Sequence, residues 1–197
     1  MVSWEPWDTP LRPGVTVVTP SIPPRTKMLR RALASVLAQT RPPDAISVAV
    51  DRDREGSAAT RNRALDAAGT EWVAFLDDDD QFLPHHLEML LACAQTSGAD
   101  VVYPIPEVAG QPPPQLRFGL PFDPDELRRA NYIPVTSLVR TQLARAAKFR
   151  CPRGTVYDDW GLYLGLLNLG ARFVHLPEKT WIWNWHPGNT QGQPDRW

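Results

Sequence analysis

The 197-residue chain predicts an α/β fold, a parallel sheet covered by helices. Short apolar runs at 15–18, 46–50, 72–76 and 101–103 alternate with segments of helical periodicity. A β-α-β-α-β-α-β order of this kind needs right-handed crossovers between parallel strands. In addition, Ser21, Asp51 and Asp77 lie at the C-terminal edges of three of those runs, the rim at which open sheets of this class bind ligands.

Each element has its own signal. Val15-Thr16-Val17-Val18 is β-branched and bounded by prolines, as a buried strand requires. Leu29, Leu33, Val36 and Leu37 recur at i, i+4, i+7 and i+8, the stripe of an amphipathic helix ending near Thr40. Residues 46–50 form a second strand that stops at Asp51. Ser57 is placed to cap a helix carrying Ala64, Leu65 and Ala68, which Gly69 stops. Residues 72–76 are the third strand. Pro84 suits the first turn of a helix that buries Leu87, Leu90 and Leu91 and ends near Gly98. Residues 101–103 are the fourth strand. Residues 104–124 are rich in proline and read as an irregular loop, long enough to expect a role as lid or acceptor wall. Beyond it, 135–139 reads as a strand, 156–169 as a helix burying Val156, Trp160, Tyr163, Leu164 and Leu167, and 172–175 as a further strand. Trp181, Trp183 and Trp185 alternate with period two and so face one way on a strand, as core for at least two of them or as a sugar platform. The expected organisation is a single domain over 1–197, with residues 1–13 an arm carrying Trp4 and Trp7.

Composition narrows the class. A net charge of −1 gives no sign of a nucleic-acid or acidic-membrane partner. Cys93 and Cys151 make neither a disulfide framework nor a metal spacing, which fits a reducing compartment. No apolar run reaches membrane-spanning length, and the N-terminus lacks the basic-then-apolar layout of a signal peptide. The expected location is the cytoplasm.

The chemistry concentrates in Asp77-Asp78-Asp79-Asp80, which closes the apolar strand 72–76. Like charges at the end of a buried strand repel, and buried charge is costly. A hard divalent cation, Mn²⁺ or Mg²⁺, is the usual compensation for oxygen-only ligands and leaves positions open for phosphates. Aspartates also favour helix starts, but Leu83 and Pro84 separate this run from its helix. Asp158 and Asp159 fall in a predicted first helical turn, where acids complement the helix dipole whatever the function. Asp51 fits a turn, Arg61 a solvated helix face, and His186 an ordinary histidine as readily as a ligand.

Six segments resemble one family in order and spacing: Val18-Thr19-Pro20-Ser21; Ala34-Ser35-Val36-Leu37-Ala38-Gln39-Thr40; Ala59-Thr60-Arg61-Asn62-Arg63-Ala64-Leu65; Phe75-Leu76 with Asp77–Asp80; Tyr157-Asp158-Asp159-Trp160; and Trp183-Asn184-Trp185-His186. The chain resembles the family 2 glycosyltransferases over about residues 14–190. His186-Pro187-Gly188-Asn189-Thr190 looks like enzymes of actinobacteria and their phages.

The resemblance implies the GT-A fold, a Rossmann-like mixed sheet, mostly parallel, with helices on both faces. It implies an inverting, metal-dependent transfer of a hexose from a nucleotide-diphosphate sugar, UDP-sugar first, to an acceptor hydroxyl. Pro20, Ser21, Asp51, Arg61, Asp77 and Asp78 would then bind the nucleotide, with Asp51 accepting from the base and Asp77 touching the ribose. Asp79 would bind Mn²⁺ or Mg²⁺, with His186 a metal or phosphate contact. Asp159 would be the general base, and Asp158, Trp183 and Trp185 would face the acceptor. The sequence departs from the family pattern at Ile22, in the very short 51–61 segment, at Asp158 in place of glutamate, and at Asn184 in place of arginine. Two other classes fit parts of the pattern. One is a relative that binds nucleotide or sugar without turnover, against which the intact acidic run and Asp159 speak. The other is a nucleotidyltransferase, which needs a basic glycine-rich loop where Pro20-Ser21-Ile22-Pro23-Pro24 stands.

Overall fold

Alternate residues of the central strands feed two different helical layers. In β1 (Arg12–Ser21), Val15 and Val17 face Ala32 and Val36 of α1 (Thr26–Leu37), while Val18 faces the opposite layer. In β3 (Thr70–Phe75), Trp72 and Ala74 join Val15 and Val17. Val73 and Phe75 instead meet Ala64 and Leu65 of α2 (Ser57–Asp66). Period-two alternation with both faces apolar is what a sheet sandwiched between helices demands. The first layer is completed by Leu87, Leu90 and Ala94 of α3 (His86–Ser97), and the second by α5 (Thr141–Ala147) and α6 (Asp158–Asn168). This computed structural model describes residues 10–111, 118–152, 155, 157–186 and 189.

The sheet has seven strands in the order β2-β1-β3-β6-β5-β7-β4, where β2 is Ala45–Val50, β4 Gln81–Phe82, β5 Val101–Ala109, β6 Leu138–Arg140 and β7 Phe173–Asn184. β1 runs parallel to β2 and β3, β6 is antiparallel to both β3 and β5, and β5 is parallel to β7. β4 is antiparallel to β7. The sheet is therefore mixed and mostly parallel, with only β6 and β4 reversed. The first four predicted strands are present, but β3 and β5 are not neighbours. A three-residue strand from much later in the chain lies between them.

Several expectations need correction. β1 begins at Arg12, inside the predicted 1–13 arm, whose residues 1–9 lie outside the described ones. Ser57 does not cap α2. It is the first helical residue, and Gly56 precedes it at φ 91°, a backbone state glycine adopts readily. Pro84 stands two residues before α3. The predicted 104–124 loop is strand as far as Ala109, because β5 pairs with β7 over that length. Pro104 and Pro106 are accommodated where the register slips, between Tyr103 and Ile105 and again between Ile105 and Pro106. The far end of the predicted loop is packed too. Phe122 stacks on Phe173 at 4.6 Å between centroids, and the Tyr103 hydroxyl donates to the Leu120 carbonyl at 3.0 Å. Residues 112–117 of that loop, and Val156 of the predicted helix, lie outside the described residues. A short helix, α4 (Pro124–Arg129), begins behind Asp123, whose carboxylate accepts from the Asp125 and Glu126 amides. The predicted 172–175 strand and the tryptophan stripe form one strand, β7. Among the described residues no helix is long and apolar enough to cross a membrane.

α6 packs unusually close to the segment after α5, and glycine makes this possible. A Cβ on Gly161 would lie 1.7 Å from the Arg150 carbonyl oxygen, and one on Gly165 would lie 2.9 Å from Ala147 Cβ. That segment is itself pinned by Asn62, whose side-chain amide exchanges two 2.9 Å hydrogen bonds with the Phe149 backbone. Gly161→Ala must push α6 outward, and Asp158 and Asp159 with it. The expected cost is about 1–3 kcal/mol by urea denaturation, the range for overpacking. A change within 0.5 kcal/mol would mean that the 150 segment yields freely.

Candidate active site

β3 ends at Phe75, and the four acids that follow form the turn into β4, closed by the Asp80 amide donating to the Asp77 carbonyl at 3.2 Å. Paired strands on both sides fix the turn against the sheet rim. Asp78, Asp79 and Asp80 are buried, so the run is not a solvated loop. Asp77, Asp79 and Asp80 each offer one carboxylate oxygen within 4.8 Å of the others.

Each acid has its own partners. Asp78 accepts from the Ser21 hydroxyl at 2.7 Å and from Arg25 at 3.1 Å, and burial raises its pKa to about 6 despite these bonds. Asp79 accepts from Arg25 at 3.1 Å and lies 3.2 Å from both His186 Nε2 and the Asn189 side-chain amide. Burial and then Asp77 push its carboxyl up. Asp80 accepts from the Asn184 amide at 2.9 Å, and burial with the charges of Asp79 and Asp77 pushes it well up. The backbone of the turn is braced by Arg31, which donates to the Asp79 carbonyl at 2.7 Å, and by the Asn184 side chain, which donates to it at 2.9 Å. Surplus negative charge on buried, hard oxygen donors fits Mn²⁺ or Mg²⁺.

A second acidic pair lies across Arg61. One guanidinium nitrogen of this buried residue donates to both oxygens of Asp158, at 2.6 and 2.7 Å, and the other donates to Asp77 at 2.6 Å. Arg61 thus joins the β3 turn to the start of α6. It is no solvated helix residue. Asp159 is partly exposed, accepting from the Asn131 side chain at 3.0 Å and from the Trp160 amide at 2.8 Å. Burial of its carboxyl, then the charge of Asp158, raise its pKa to about 7.

The structure therefore gathers Ser21, Arg61, Asp77, Asp78, Asp79, Asp158, Asp159 and His186 into one connected rim. Asp51 sits at the end of β2, but its two oxygens accept from the Glu55 and Gly56 amides, both at 2.9 Å. Burial pushes its carboxyl up, yet those amides, with the Arg54 and Asp53 amides, hold it below the ordinary range. This geometry favours the turn reading of Asp51. Pro20 is buried in β1 opposite Ala49. Trp181 is core, and Trp183 packs against the same cluster and meets Phe118 edge-on at 5.6 Å. Trp185 continues the ladder by donating its amide to the Ala109 carbonyl at 2.8 Å. Of the His186–Thr190 phrase, Pro187, Gly188 and Thr190 lie outside the described residues. Arg25, Arg31, Asn131 and Asn189 carry no prediction, although each touches a predicted site residue. The available signal was the Pro23-Pro24-Arg25 sequence, a stiff turn ending in a cation on the ligand rim.

The fold matches known structures. S. aureus TarS 1-349 in complex with UDP-GlcNAc superposes with a TM-score of 0.69 at 20% identity, over 89% of this chain and 59% of that one. The same protein in complex with UDP gives 0.67 at 20%, over 88% and 61%. Mannosyltransferase PcManGT from Pyrobaculum calidifontis, in complex with GDP-Man and Mn²⁺, gives 0.62 at 18%, over 91% and 60%. These are GT-A glycosyltransferases, and the mixed seven-stranded sheet is of their class. The chain spans about three-fifths of the length of each. No curated protein matches it by sequence. The glycosyl transferase family 2 model matches residues 47–157, more than half of the chain. The chain belongs to that family.

Proposed function

We propose that this chain transfers a sugar from a nucleotide-diphosphate donor, UDP-sugar first, to an acceptor hydroxyl with inversion at the anomeric carbon. The observation that carries this is the Arg61 bridge. It sets a carboxylate cluster suited to a metal-bound diphosphate beside a carboxyl whose pKa lies near neutrality. A divalent ion held by Asp79, with Asp77, Asp80 and His186 close by, would neutralise the charge that develops on the leaving diphosphate. Ser21 and Asp78, joined by a 2.7 Å hydrogen bond, would line the nucleotide pocket together with Pro20. Asp159 takes the proton of the acceptor hydroxyl as its oxygen bonds to the anomeric carbon. The bond from that carbon to phosphate oxygen breaks, and its electron pair leaves with the diphosphate. Attack on the face opposite the leaving group gives inversion. UDP and GDP-Man in the structural neighbours support a nucleotide-diphosphate donor.

UDP should bind this protein far more tightly with Mn²⁺ than with EDTA, because diphosphate and Asp79 repel without a cation between them. Calorimetry on the wild type and on Asp79→Ala tests this. Equal, metal-independent affinity in the two proteins would remove the metal–diphosphate site.

A further inference from the structure

Among the described residues, Arg25 is the guanidinium that reaches two acids of the β3 turn directly. Its Nη1 lies 3.1 Å from an oxygen of Asp78 and 3.1 Å from an oxygen of Asp79. The local sequence fixes this placement. Pro23 and Pro24 preset the backbone of a 3₁₀ turn over Pro23–Arg25, the Arg25 amide donates to the Ile22 carbonyl at 3.0 Å, and α1 starts at the next residue. A side chain on so stiff a stem pivots at its own torsions while the backbone stays in place. It stands directly against Asp79, the acid assigned above to the metal.

A divalent ion at Asp79 and a guanidinium on the same oxygen repel each other, so they cannot share that carboxylate at full strength. The donor supplies an alternative for the displaced guanidinium. A diphosphate on the metal presents oxygens that a planar guanidinium can engage with two parallel hydrogen bonds. We propose that Arg25 is a resident counter-cation that holds Asp78 and Asp79 before the donor arrives, yields Asp79 to the metal, and transfers its hydrogen bonds to the donor diphosphate. The inference rests on the donor site proposed above. It makes Arg25 oppose the free metal and favour the metal–diphosphate complex, so that the two are taken up together.

These opposed effects make the test. Mn²⁺ alone, and UDP in saturating Mn²⁺, are titrated calorimetrically into wild type, Arg25→Met and Arg25→Lys, each checked for folding by its melting temperature. Arg25→Met keeps length and loses charge. It should bind Mn²⁺ alone on the order of tenfold more tightly and UDP on the order of tenfold more weakly, the scale of one charge-assisted contact. Arg25→Lys keeps the charge and loses the fork, so Mn²⁺ affinity should stay near wild type while UDP affinity falls. UMP, which lacks the second phosphate, should lose less than UDP in Arg25→Met. If both affinities move in the same direction, or neither moves, the exchange is overturned while the donor site stands. If the wild type itself shows no Mn²⁺-dependent UDP binding, the donor site falls and Arg25 loses this role with it. Should Arg25→Met not fold, the Arg25→Lys pair of titrations decides alone, and unchanged UDP affinity there overturns the exchange.

Discussion

Asp159→Asn should lower the rate of transfer by on the order of 10²-fold or more while leaving donor affinity near wild type. The amide keeps the size of the side chain and can still accept from the Trp160 amide, but it cannot take a proton. Asp158→Asn removes a charge from the Arg61 bridge instead, so its expected first effect is on stability. The wild-type pH profile supplies an independent check. A base must be ionised to act, so kcat/KM should fall as pH drops through about 7, where burial and Asp158 have placed this carboxyl. Near-normal turnover by folded Asp159→Asn would take the residue out of the mechanism. The competing explanation, in which both acids only complement the helix dipole, predicts losses of about 1 kcal/mol or less in both variants and little change in turnover.

Arg61→Met should destabilise the fold by about 3–5 kcal/mol, because it leaves two carboxylates facing each other without their cation. For a chain of this size that corresponds to a melting temperature lower by roughly 10 °C. Adding Asp158→Asn to Arg61→Met should recover part of the loss, since the buried charge left unpaired by the first change is then removed. A double-mutant cycle measures the coupling directly. A loss under 1 kcal/mol would mean that water enters and solvates the pair. The pronounced penalty is expected because the Asp158 side chain is only 6% exposed and that of Arg61 only 11%.

What could be read from the sequence follows from what is local. The acids at the end of β3 announce themselves because four charges interrupt an apolar run. The strands 46–50 and 72–76 are legible because each is flanked by breakers. For Arg25 the stiff proline turn was a signal of position only, since its partners are 53 and 54 residues away and no local pattern names them. β6 lay close to a predicted strand, but its insertion between β3 and β5 is a matter of three residues and tertiary pairing. α4 and α5, six and seven residues long, are too short for a helical period to show. Asp51 stood open between a turn and the role the family resemblance implies, and in the short 51–61 segment its carboxylate accepts from the backbone amides of its own turn.

The late position of β6 in the chain bears on how the protein is made. Synthesis delivers β3 and β5 well before residues 138–140, so a nascent chain holds both with an apolar edge unpaired, and Arg61 must wait 97 residues for Asp158. Open hydrophobic edges are where unfinished chains associate. Four acids follow directly on that strand, and like charges on neighbouring chains repel. Charges flanking an apolar strand are the kind that keep such edges apart, and in the folded chain three of the same four acids, Asp78, Asp79 and Asp80, are buried.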